Sequence, residues 1–205
     1  MNKDIKQIER KIQRSSYEDG LNEIAFGLIT LLLAIYFFLQ STLSPETLLY
    51  QILVPGFLII MVGGGLIIFR LSAILKDRFT FPRTGYVTFP QPRTSKLLMT
   101  GLISMLLAVM LVVLLRTAPS TLISMPSLSA FVIAIAFLIV GWRLNLLRYY
   151  LLSLASLLIG VGLRYLGLSE LIGLSYFYAL LSLSLLVAGI SIFLRFIRQT
   201  QPPTD

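Results

Sequence analysis

At 205 residues, 57% hydrophobic and only 13% charged, the chain lies outside the composition of soluble domains, where roughly a quarter of residues are charged. Lipid is therefore its expected solvent. With neither histidine nor cysteine, the imidazole and thiol chemistries of catalysis, metal ligation and redox exchange are excluded, and the net charge of +8 reads as a topology signal rather than as affinity for nucleic acid.

The chain opens on residues 1–16, where Ile5, Ile8 and Ile12 recur at helical spacing among Lys and Arg. This pattern predicts a basic amphipathic helix, within a segment 1–20 lying along the cytoplasmic headgroups. About twenty polar residues precede the first apolar run, so a cleavable signal peptide is not expected. Next comes Tyr17-Glu18-Asp19-Gly20-Leu21-Asn22-Glu23, at the entrance to the first span. Helical geometry puts Asp19 and Glu23 on one face. One reading has Asp19 as a cap and Glu23 paired with an arginine of a loop; the other makes the two a polar cluster that gates or coordinates something at the cytoplasmic entrance.

Six apolar stretches follow, at 21–39, 48–69, 97–115, 128–142, 146–166 and 171–194. Each approaches the roughly 20 residues a helix needs to cross about 30 Å of hydrocarbon. None shows the alternation of a barrel strand. The expected fold is thus an all-α membrane protein: six transmembrane helices in three hairpins across 21–198, with a short tail at 199–205. Lys3, Lys6, Arg10, Lys11 and Arg14, then Arg70, Lys76, Arg78, Arg83, Arg93 and Lys96, and finally Arg143, Arg148, Arg195 and Arg198 all fall on one side of this topology. Only Arg116 and Arg164 of the 17 basic residues fall on the other. The positive-inside rule then predicts a multi-pass protein of the cytoplasmic (inner) membrane with both termini cytoplasmic.

Within the spans, Pro55-Gly56 and the run Gly63-Gly64-Gly65 predict a kink or loosened turn, which marks either a close helix crossing or a transport site. Small residues at four-residue spacing, including Ala130 and Ala134, Ser156 and Gly160, and Ser184 and Ala188, predict helix packing. Tyr36, Tyr50, Tyr165, Tyr176 and Tyr178 at one boundary, and Trp142, Tyr149 and Tyr150 at the other, are expected as aromatic belts.

The only long connection is the cytoplasmic loop 71–96. Two β-prone runs, 79–81 and 86–89, flank Pro82-Arg83-Thr84-Gly85, which predicts a small β-hairpin-like loop docked on membrane or protein. Arg78, Arg83, Tyr86 and Arg93 would present its charge and aromatic surface to lipid phosphates or acidic partners.

No nucleophile-base motif, phosphate loop or metal-ligand spacing is present, so an enzyme is not expected, nor any cofactor. The favoured role is a scaffold or accessory subunit that presents a basic cytoplasmic surface to a membrane-protein partner or an anionic lipid, alone or as a homo-oligomer; a transporter or channel component for a small solute is the alternative. The segments Tyr-Glu-Asp-Gly-Leu-Asn-Glu-Ile and Phe-Pro-Arg-Thr-Gly-Tyr-Val resemble a group of bacterial membrane proteins to which no activity attaches. The resemblance covers roughly the first 95 residues and implies that Asp19, Gly20, Glu23, Pro82, Arg83, Gly85 and Tyr86 belong to family motifs.

Overall fold

A computed structural model describes residues 17, 19–80 and 124–199. Among them there are helices and no strands. They are α1 (Leu21–Thr42), the short α2 (Leu48–Leu53), α3 (Phe57–Leu75), α4 (Met125–Leu144), α5 (Leu147–Tyr165) and α6 (Glu170–Gln199). A π-helical turn, Lys76–Thr80, extends α3. Five helices are long and apolar enough to cross a membrane, which fits a multi-pass membrane protein. The sixth expected span, 97–115, and the expected N-terminal helix lie outside the described residues.

Helix ends follow local chemistry. Gly20 adopts a left-handed φ of 73° just before α1, and the Asp19 side chain accepts the Leu21 N–H at 3.1 Å, satisfying one of the orphan donors of a helix start. Between α2 and α3 the chain breaks at Pro55-Gly56. Proline offers no N–H to continue the ladder, and a Cβ on Gly56 would lie 2.7 Å from the Ile52 carbonyl. The expected kink is therefore a break between helices at this point, while the triple glycine continues as regular helix. Of the three, only Gly64 faces another helix closely, against Leu32; Gly63 and Gly65 have open space around them.

The most extensive packing is between α1 and α6, antiparallel and joined through small residues. Gly20 lies against Gly189, Ser182 donates to the Gly27 carbonyl at 2.8 Å, and Ser175 donates to the Ala34 carbonyl at 3.0 Å. Positions climb by seven along α1 and descend by seven along α6, two helical turns at a time, so both backbones approach along one seam. The second large interface joins α4 and α5. Here the expected small pairs do meet: Ser156 donates to the Ala130 carbonyl at 3.0 Å, Ser153 to the Ala134 carbonyl at 2.8 Å, and Gly160 leaves room for Ala130. Ser184 bonds only within its own helix. A sharp turn at Asn145, with φ of 53°, connects α4 to α5. Phe177, Leu181 and Leu185 of α6 fill the core between the two interfaces. At the opposite end the Glu170 carboxylate accepts the Met125 N–H at 2.6 Å, tying α6 to the start of α4.

The aromatic belts are only partly interfacial. Trp142 and Tyr165 are exposed, but Tyr36 is buried against Phe37 and Phe57, and Tyr149 is buried at the end of the bundle that carries Asp19. The start of the expected β-hairpin is also different. Phe79 and Thr80 belong to the π-helical turn, because Phe79 packs edge-on against Phe193 of α6 at 6.1 Å and Thr80 is buried beside Asp19. Tertiary contacts here override strand propensity. The remainder of that loop lies outside the described residues.

Candidate functional site

Asp19 and Glu23 are both 1% exposed and both interact with Arg148, but the expected helical spacing does not apply, because α1 begins at Leu21 and the left-handed Gly20 sets Asp19 outside it. Elements from across the chain converge on them. Lys76 and Thr80 arrive from the end of α3, Arg148 and Tyr149 from the first turn of α5, and the Tyr17 backbone from the segment entering α1.

The Asp19 carboxylate uses both oxygens. Oδ1 accepts the Leu21 N–H, while Oδ2 accepts the Thr80 hydroxyl at 3.2 Å and lies 3.8 Å from Lys76 Nζ. Lys76 also donates to Asn22 Oδ1 at 3.0 Å. Burial pushes the Asp19 carboxyl above its ordinary value of 3.8; the nearby Lys76 ammonium, the Leu21 N–H, Thr80 and Arg148 offset this only in part.

Glu23 is held differently. Its Oε1 lies 3.1 Å from Arg148 Nη2, yet neither carboxylate oxygen nor Arg148 Nε has an aligned hydrogen bond. The contact is thus an ion pair rather than a bidentate fork. Arg148 also donates to the Tyr17 carbonyl and sits 5.3 Å from the Tyr149 ring centre. Tyr149 meets Tyr17 edge-on at 6.3 Å and lies near the Glu23 carboxylate. Two acids and two bases make an electroneutral cluster, each charge with an opposite partner, as burial requires.

Chemically, this arrangement clasps four chain segments together. The N-cap position of α1 is Gly20 rather than Asp19, although the Asp19 carboxylate does accept the first N–H of the helix. The partner of Glu23, however, is Arg148 beside the α4–α5 turn rather than an arginine of the 71–96 loop. Lys76, Thr80, Asn22, Arg148 and Tyr149 were not singled out as site residues from the sequence. Lys76 and Arg148 register there only as topology charges, and nothing local to Arg148 points to a residue 125 positions earlier. Among the surface residues expected to meet a partner, Arg78 is exposed on the π-helical turn, while Arg83, Tyr86 and Arg93 lie outside the described residues. Among the described residues no group of three acids, histidines or cysteines is placed to hold a metal ion. No known protein family, curated protein or solved structure matches the chain.

Proposed function

We propose that the protein is a membrane-embedded scaffold whose buried charge cluster locks one end of the bundle, leaving a basic rim there to hold an acidic membrane-protein partner or anionic lipid. The observation that carries this reading is the division of charge at that end. The acids Asp19 and Glu23 are buried and paired within the chain, whereas Arg78, Arg143, Arg195 and Arg198 are exposed, accompanied among the described residues by one exposed acid, Asp77. The end therefore offers net positive charge outward, at the level where a cytoplasmic leaflet would present phosphates.

Transport is the second reading, and the buried Glu23 without an aligned hydrogen bond is what favours it. Against it, the buried serines Ser153, Ser156, Ser175 and Ser182 each donate to a carbonyl of a neighbouring helix, so they stitch the bundle instead of lining a polar path.

Purification from native membranes into lipid nanodiscs, followed by mass analysis of everything retained, separates the two. The scaffold reading expects a stoichiometric acidic protein or anionic lipid that is lost on combined Arg195→Glu and Arg198→Glu substitution. Retention of a small solute with no such partner would replace it with transport.

A further inference from the structure

Arg70 has no part in the buried cluster. It precedes Lys76 by six residues, roughly 9 Å back along the α3 axis and about 120° around it. The face that delivers Lys76 to Asp19 therefore cannot also hold Arg70. Its neighbours one turn away, Leu66, Ile67 and Ile74, are exposed, as are Phe69 and Leu71 beside it; Ile67 reaches 70%. Arg70 is itself exposed, a cation set in an apolar strip. In hydrocarbon such a group is costly without an anion.

Among the described residues, no acid lies near enough to supply that anion. Asp19 and Glu23 are committed to the cluster. Glu46 and Glu170 sit at the opposite end of the bundle. Asp77 lies about two turns further on, and long side chains on a helix lean toward its N-terminus, away from that residue. Residues 81–123 contain no Asp or Glu, and Asp4, Glu9, Glu18 and Asp205 precede the first span or follow the last. Next to Arg70, Phe69 meets Phe26 of α1 edge-on at 6.2 Å, both with exposed faces, forming an apolar wall.

We propose that Arg70 anchors the headgroup of a bound anionic phospholipid, the guanidinium taking the phosphate by paired hydrogen bonds while an acyl chain lies along Leu66 and the Phe26–Phe69 wall. A lipid matches both the charge and the apolar surface around it. An acidic peptide from the aqueous side would have to carry its carboxylate roughly 9 Å past Lys76 into hydrocarbon. The inference rests on the reading of this end of the bundle as membrane-facing and basic, and it names the lipid class and its contact.

Native mass spectrometry of detergent-released protein, titrated with phosphatidylglycerol or phosphatidylcholine, tests it on wild type and on Arg70→Leu, Arg70→Lys and Arg164→Ala. The expected result is that Arg70→Leu holds phosphatidylglycerol roughly tenfold less tightly, the change produced by losing one charge-assisted contact. Arg70→Lys retains part of the binding and Arg164→Ala, at the opposite end of the bundle, all of the tightest component. Equal retention by Arg70→Leu overturns the anchor, as does equal preference for the two lipids. A switch from dimer to monomer in Arg70→Leu with lipid retention unchanged also overturns it, assigning the contact to a second copy. Arg70→Lys preserves charge and helix, so the comparison stands even if the leucine variant unfolds. Loss of the anchor alone leaves the scaffold reading intact provided the Arg195→Glu, Arg198→Glu variant still sheds its partner.

Discussion

Each charge in the cluster is held by a different balance, and single substitutions separate them. Arg148→Ala leaves Glu23 buried without its counter-charge, which costs about 3–5 kcal/mol. Urea or thermal unfolding in detergent should show that loss, and Glu23→Gln combined with Arg148→Met should recover much of it, because neutral groups of similar size carry no uncompensated charge. Asp19 follows the opposite logic from a simple salt bridge. Its carboxyl is raised above the ordinary carboxylate range by burial, so the folded state binds its proton more tightly than the unfolded chain. The stabilisation this gives is complete below about pH 4 and is lost as pH rises through the raised value. The unfolding midpoint of wild type should therefore fall with rising pH in the acid range relative to Asp19→Asn, which cannot titrate, keeps an acceptor for the Leu21 N–H and turns its amide NH2 to the Thr80 hydroxyl, which can accept. A variant curve parallel to wild type would assign the pH dependence to another group.

At the level of elements, the glycines divide by what surrounds them. Gly20→Ala combines a positive φ with an approach of 2.6 Å to the Gly189 carbonyl, so it should destabilise by about 2 kcal/mol or more. Gly65→Ala meets nothing within 4 Å and should stabilise by up to about 1 kcal/mol through helix propensity. Equal unfolding midpoints for the two would contradict the α1–α6 seam. The five described spans were legible as apolar runs because lipid exposure demands them, and Pro55-Gly56 was legible because proline cannot complete the ladder. The continuation of α3 to Leu75 and through the π-helical turn was not: charged residues end an apolar run without ending a helix. Phe79 and Thr80 likewise look β-prone in isolation, and only Phe193 and Asp19 hold them helical. The seam itself does not show as small residues four apart, since its spacing is seven and its partner helix begins more than a hundred residues later. Helix geometry does not carry Asp19 to Glu23, because the left-handed Gly20 interrupts the helical path between them; their basic partners were not legible either, because pairing depends on which spans become neighbours.

For the whole molecule, a chain without cysteine suits mapping by single introduced thiols. Asn145→Cys and Gln199→Cys should react with an impermeant reagent only from the cytoplasmic side of inner-membrane vesicles, and Ser44→Cys and Ser169→Cys only from the other. Any mixed pattern would refute the expected orientation. The seam also leaves the bundle an ambiguity of alignment. A slide of α1 along α6 by seven residues would still set Gly27 against Gly189 and Ala34 against Ser182, small against small, so backbone fit alone distinguishes the two alignments poorly. Such a slide would carry Asp19 and Glu23 roughly 10 Å away from Lys76 and Arg148, stranding all four charges. The clasp is in this sense a key cut for one setting of a lock that is otherwise periodic, and neutralising it should yield a protein that remains helical yet populates two packings.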